Sequence, residues 1–252
     1  MRKHRPAIAI NGAPMLIAVF ALIYCTAAQA TDTRQVISTS APPWLRAVGK
    51  LQVPGQRFEK GHALHYLEDC SATLVALPDR DRADTIVTAW HCLELYKDLS
   101  RPILFTLSPS SGVLLNLEAY RLADGGGMHA DWAILRLRQS VPADKVDSLQ
   151  VHPQQADASR PVTMAGYSGD SGMGDNGQRL TFDPECIISQ QHQNIGDTNC
   201  TAHKGASGGA VIQVSNAGEA YLCGVISQGD GEGRSTFVPV GTFRESLTHY
   251  IR

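Results

Sequence analysis

The stretch Thr85-Ile86-Val87-Thr88-Ala89-Trp90-His91-Cys92 sets the reading of this chain. Four β-branched residues in succession specify an extended strand, because branching at Cβ suits a pleated backbone and crowds a helical turn. The strand delivers a histidine, a side chain suited to proton transfer near neutral pH, directly beside a cysteine. Cys70 lies upstream at a spacing that a disulfide to Cys92 would close into a loop of about 15 to 25 residues, worth roughly 3 kcal/mol in the chain-entropy model. Such a bridge would fix the backbone that carries the imidazole. A plain core histidine is the alternative reading, and the supporting cysteine pair argues against it.

Short apolar runs separated by turns continue on both sides. Residues 70–77, 85–89, 103–107, 113–122 and 132–137 have strand length and β-branched or large apolar content. Asp124-Gly125-Gly126-Gly127 is a loop between the last two. Residues 140–161 are polar, carry Pro142, Pro153 and Pro161, and read as a linker between two β units. The rhythm resumes over residues 162–167, 179–182, 186–190, 210–214, 221–228 and 235–240. This spacing predicts an antiparallel sandwich or barrel. Phe243, Leu247, Tyr250 and Ile251 then fall on one helical face, and Thr242 with Glu245 spells a capping box for that terminal helix.

The N-terminal quarter is different. Arg2, Lys3 and Arg5, an apolar stretch over residues 15–24 and Ala28-Gln29-Ala30 form the three parts of a secretory signal over residues 1–30. The apolar stretch is short for a membrane span, and Tyr24 before Cys25 argues against a lipid anchor, so no stable membrane anchor is expected. Residues 31–61 lack a period, contain Pro42, Pro43 and Pro54, and are expected to form an extended arm or a pro-segment. His62, His65, Glu68 and Asp69 read as a solvated edge in preference to a metal site.

Composition narrows the function. The 252 residues carry a formal net charge of -2, without the basic footprint of a nucleic-acid binder. A secreted or periplasmic location favours disulfides, and spacing pairs Cys186 with Cys200 as it pairs Cys70 with Cys92. Cys223, within an apolar strand, is left as a buried free thiol.

Gly205-Ala206-Ser207-Gly208-Gly209 precedes an apolar strand and has the form of a nucleophile turn, with small residues around a serine and backbone N–H groups free to hold an oxyanion. A surface turn is the plain alternative for the pentapeptide alone. It also fits the G-x-S-x-G elbow of the α/β-hydrolases, with Asp230 and His249 following in order, but the preceding chain lacks alternating helices. Gly169-Asp170-Ser171-Gly172 offers a second serine, set in a glycine-rich loop.

The chain resembles the trypsin-like serine peptidases of the chymotrypsin fold. Thr88-Ala89-Trp90-His91-Cys92 is similar to that family's histidine motif, and Asp131-Trp132-Ala133-Ile134-Leu135-Arg136-Leu137 to its aspartate motif, with Asp124 and Asp84 as weaker rivals. The order histidine, aspartate, serine also matches, over roughly residues 70–252. The resemblance implies an all-β fold of two antiparallel six-stranded β-barrels with a C-terminal α-helix, the first over residues 62–145 and the second over 146–252. It implies a serine endopeptidase acting on polypeptides through nucleophile Ser207, general base His91 and orienting Asp131, with the N–H groups of Gly205 and Ser207 as oxyanion hole and with neither metal nor cofactor. Thr201, six positions before Ser207, falls where the family floors its specificity pocket, and Ser227, Gln228 and Gly229 fall on the pocket wall.

Departures from the family are informative. Ala206 stands where the digestive members carry an aspartate that pairs with a newly cut N-terminus, and no Ile-Val-Gly-Gly start follows the signal. Activity is therefore expected without that switch. A neutral Thr201 argues against basic cleavage sites. An uncharged preference is expected; an acidic one is the alternative, although Ile226 stands where acid-specific members place a pocket histidine and only His203 lies close in sequence.

Overall fold

The computed structural model describes Met1 and residues 32–251. The signal reading of residues 1–30, with Cys25, lies outside them. The first strand, β1 (Gln35–Val36), is followed by β2 (Val48–Glu59), β3 (His62–Val75), β4 (Arg82–Thr88), β5 (Ile103–Leu107), β6 (Leu115–Asp124) and β7 (Ala133–Pro142). Strands β2 to β7 close a barrel in the order β2-β3-β4-β7-β6-β5, sealed by pairing of β5 with β2 at Lys50–Gln52. Leu51, Leu74, Ile86, Phe105 and Leu135 fill it and are shut off from solvent.

Residues 48–59, expected as part of an extended arm or pro-segment, are a barrel strand. Leu51 and Val53 point inward while Lys50 and Gln52 alternate with them, but the run is short and is bounded by Gly49, Pro54 and Gly55. Pro54 lies beyond the last pairing with β5, where only β3 flanks the strand, so its missing N–H leaves the barrel ladder intact. Past that point β2 and β3 run on as a two-stranded hairpin. His62 and His65, expected before a strand, lie exposed within β3 on this hairpin.

The second unit adds β8 (Gln150–Val151), β9 (Val162–Tyr167), β10 (Leu180–Cys186), β11 (Ile188–Gln191), β12 (Gly196–Thr198), β13 (Ala210–Val214), β14 (Ala220–Gly229) and β15 (Ser235–Pro239). They form a nine-stranded sheet in the order β1-β10-β9-β13-β14-β15-β12-β11, with β8 parallel to β14. Strand β1 is contributed by the N-terminal segment, which crosses to pair with β10. The connection over residues 140–161 is packed: Leu149 is buried and exchanges backbone hydrogen bonds with Leu74 and Ala76.

Helix α1 (Arg244–Tyr250) ends the described chain. Phe243, Leu247 and Ile251 are buried, and Phe243 stacks on Trp132 at 5.6 Å, tying the helix to the start of β7. The expected capping box does not form. A 3-10 turn over Val240–Thr242 intervenes, Phe243 occupies the cap position, and Thr242 Oγ1 donates instead to the Gln193 carbonyl at 2.6 Å.

Candidate active site

The β-branched run of β4 ends at Thr88, and the chain turns into a short 3-10 helix, Trp90–Leu93. Cys92 in that turn is bonded to Cys70 on β3, so the turn is pinned to the barrel wall. Asp131 precedes β7 and is 1% exposed. The His91 backbone N–H donates to its Oδ1 at 2.9 Å, and the His91 ring Nδ1 lies 2.9 Å from its Oδ2. One carboxylate thus fixes both the main chain and the ring of His91. With Nδ1 engaged, Nε2 is the nitrogen left to act. Ser227 Oγ donates to the same Oδ2 at 2.5 Å. Burial pushes the Asp131 carboxyl up, but these hydrogen bonds and the histidine charge override it and hold it below the ordinary carboxylate value.

Gly205-Ala206-Ser207-Gly208-Gly209 turns sharply because Gly205 and Gly208 take φ of +94° and +84°. A Cβ on Gly208 would meet Ser71 O and Thr88 Oγ1 at 2.1 Å, so the turn nestles against the first barrel where no side chain fits. The N–H groups of Ala206, Gly208 and Gly209 donate to His203, Ile226 and Ala206 carbonyls. Those of Gly205 and Ser207 have no partner among the described residues. Ser207 Oγ donates to the Ser227 carbonyl at 3.3 Å, and no hydrogen bond joins it to His91. Such contacts commonly tighten only once substrate is bound. Ser207 and His91 line one cavity of about 500 Å³ with Ser227, Gln228 and Gly229, and with Met128, His203 and Lys204.

Thr201 does not line this cavity and is nearly buried. Its N–H donates to Asp183 Oδ2 at 2.7 Å. Above it the walls meet: the Gly231 N–H donates to the Ala202 carbonyl at 3.1 Å, and a Cβ on Gly229 would lie 2.2 Å from that oxygen. Thr201 thus sits next to this backbone contact and outside the lining of the cavity that Ser207 faces.

The remaining candidates fall elsewhere. Asp84 pairs with the buried Arg136, Asp124 with Arg121, and Ser171 is exposed. Cys186 is bonded to Cys200, and Cys223 is a free, buried thiol pushed up by burial to about 12. One residue had no sequence signal beyond its place after Cys70 in an apolar run. Ser71, fully buried, donates its N–H to the Ser207 carbonyl and its Oγ to the Gly205 carbonyl, both at 2.8 Å. Its Oγ also accepts the Tyr167 N–H at 2.8 Å, and its carbonyl accepts Thr88 Oγ1 at 2.7 Å.

A family model described as a trypsin-like peptidase domain matches residues 71–220, more than half of the chain. No curated protein gives a sequence match. Among solved structures, the protease Anisep from Arthrobacter nicotinovorans is similar with a TM-score of 0.60 and 19% identity, covering 84% of this chain and 96% of that one. A Glu endopeptidase solved with MPD gives 0.57 and 17%, covering 87% and 96%. The active form of the Rv3671c protease from M. tuberculosis gives 0.55 and 16%, covering 81% of each. At these identities the likeness is one of fold.

Proposed function

Because the chain belongs to the trypsin-like peptidase family, we propose that it is a serine endopeptidase with Ser207 as nucleophile, His91 as general base and Asp131 as the orienting acid. The observation that carries this reading is the two-point grip of Asp131 on His91, which lines one cavity with Ser207, beside a turn whose Gly205 and Ser207 amides have no partner among the described residues. Ser207 Oγ attacks the substrate carbonyl carbon while His91 Nε2 takes its proton. The resulting oxyanion accepts from the Gly205 and Ser207 N–H groups, donors whose individual loss in such sites costs about 2.7 to 4 kcal/mol. His91 returns the proton to the leaving amine, and water then hydrolyses the acyl-enzyme by the same steps in reverse order. Buried Asp131 holds the ring and stabilises the imidazolium.

The substrate is a polypeptide, and the preferred residue at the cleavage site is uncharged and short. No carboxylate lines the cavity to receive a basic side chain. Its basic lining residues beyond His91 have acidic neighbours: His203 lies near Asp32 and Asp170, and Lys204 Nζ is 3.8 Å from Glu68. The touching walls at Ala202 and Gly229 leave no deep slot. The two disulfides and the signal-like residues 1–30 support a site of action outside the cytoplasm, secreted or periplasmic. Among the described residues no helix is long and apolar enough to cross a membrane.

A fluorophosphonate probe, followed by peptide-library cleavage, tests the reading. Labelling of the wild type that is abolished in Ser207→Ala supports it. Absence of labelling in folded wild-type protein would instead indicate a binding protein that kept the peptidase fold without its catalysis.

A further inference from the structure

The Lys204–Gly205 peptide unit presents the Gly205 N–H, and its orientation is set from the opposite side. A peptide is planar and trans, so its C=O and N–H point in opposite directions and fixing one aims the other. The Lys204 carbonyl accepts the Gly169 N–H at 2.6 Å. Gly169 is the second residue of the loop over residues 168–179, and that loop is held together at Asp170. The Asp170 carboxylate accepts the Gly174 N–H, and its carbonyl accepts the Asn176 N–H at 2.9 Å.

Asp170 is gripped in turn by the N-terminal segment. Arg34, 5% exposed, donates Nη1 to Asp170 Oδ1 at 2.8 Å and Nη2 to Asp32 Oδ2 at 2.7 Å, with Nε on the Asp32 carboxylate as well. The same segment joins the second sheet through β1, and Thr33 Oγ1 donates at 2.7 Å to Asp183, the buried carboxylate that holds the Thr201 N–H. Residues 32–37 therefore brace both backbone stretches that flank Ser207 on its upstream side.

We infer that Arg34 is a positioning residue for catalysis: through Asp170 and the Gly169 N–H it holds the Lys204–Gly205 peptide with its carbonyl on the loop and its N–H turned to the opposite side, free to meet an oxyanion. This rests on the proposed role of the Gly205 amide as an oxyanion donor. An arginine side chain within the chain does here, through a different loop, what Ala206 cannot do with a new N-terminus. The carboxyl of Asp170, held at about 2 against the opposing effect of burial, stays ionised throughout the working pH range. No covalent step is involved.

The test uses the full chain with Arg34→Gln, Arg34→Lys and Asp170→Asn, each first checked by thermal melting. Expected for Arg34→Gln is a kcat lowered about 10-fold or more on a peptide ester with KM little changed. Affinity for a peptide boronate, which places an oxygen where the oxyanion forms, falls by a similar factor, while affinity for a substrate-like peptide bound to a Ser207→Ala background does not. Arg34→Lys recovers part of the loss, and the Arg34→Gln/Asp170→Asn double variant is no worse than the more impaired single one. Should Arg34→Gln melt below the assay temperature, Asp170→Asn carries the same comparison. A folded variant with wild-type kcat, or one that loses boronate and peptide affinity alike, overturns the inference. Ser207→Ala separates the two readings. If it remains active, the proposed function itself fails; if it is inactive while both Arg34→Gln and Asp170→Asn turn over normally, only the bracing role fails.

Discussion

Ser71 Oγ donates a hydrogen bond of 2.8 Å to the carbonyl of Gly205, which joins the wall of the first barrel to the nucleophile turn of the second unit. The contact matters because the two halves of the site come from different units: His91 and Asp131 from the first, Ser207 and its amides from the second. Without a fixed relation between β3 and residues 205–207, the imidazole and the hydroxyl would have no defined separation. Ser71 ties the first barrel to the second unit three times over, through its N–H and both roles of its hydroxyl.

Ser71→Ala removes the hydroxyl and leaves the Gly205 carbonyl and the Tyr167 N–H without that partner. Stability should fall by about 2 kcal/mol, as expected for buried groups stripped of a hydrogen bond. Because the loss lands on the nucleophile turn, kcat should fall several-fold as well. Urea unfolding and steady-state kinetics on the same preparation check this; a variant with unchanged midpoint and turnover would mean that the interface is held by packing alone.

Thr201→Asp is the substitution that family reasoning would choose to create a preference for lysine and arginine. Thr201 is buried and does not line the cavity that Ser207 faces, and the neighbouring Ala202 carbonyl is in backbone contact with Gly229 and Gly231. No gain in kcat/KM for basic peptides is expected, and a drop in stability is, since a second carboxylate would be placed beside buried Asp183. A rise of about 10-fold or more in cleavage after lysine would show that the pocket does reach Thr201.

Acid should release the Arg34–Asp170 contact in a defined window. Burial pushes the Asp170 carboxyl up, but the Arg34 and Gly174 donors hold it at about 2, below its ordinary 3.8. A depressed folded value contributes stability that is complete above the unfolded value and is lost as pH falls toward the folded one. The wild type should therefore exceed Asp170→Asn by about 1 kcal/mol at pH 5, a figure reduced from the full shift because solvent screens a carboxylate near the surface. The difference should close by about pH 2. Urea midpoints for both proteins across that range decide the matter, and a constant difference would count against the linkage.

Much of the site was legible because its chemistry sits on local patterns. The β-branched run ending at His91-Cys92, the acid leading into β7 and the glycine-flanked Ser207 each carry their signal within a few residues. The two cysteine pairs could be read from spacing, and both are formed. What spacing missed was pairing across long separations. Strand β2 lay hidden because glycine and proline interrupt its alternation, and β1 is two residues whose only claim to strand form is β10, met about 145 positions later.

The sequence by itself determined the all-β class, the order of the proposed triad and the residues that turn sharply, since each follows from side-chain branching, backbone freedom or local apolar period. Only the tertiary structure decided where Thr201 lies, that Ser71 joins the two units, and that Arg34 is buried against Asp170. Those outcomes depend on which distant backbones touch, and a carbonyl or a buried guanidinium carries no mark in sequence of the partner that will satisfy it.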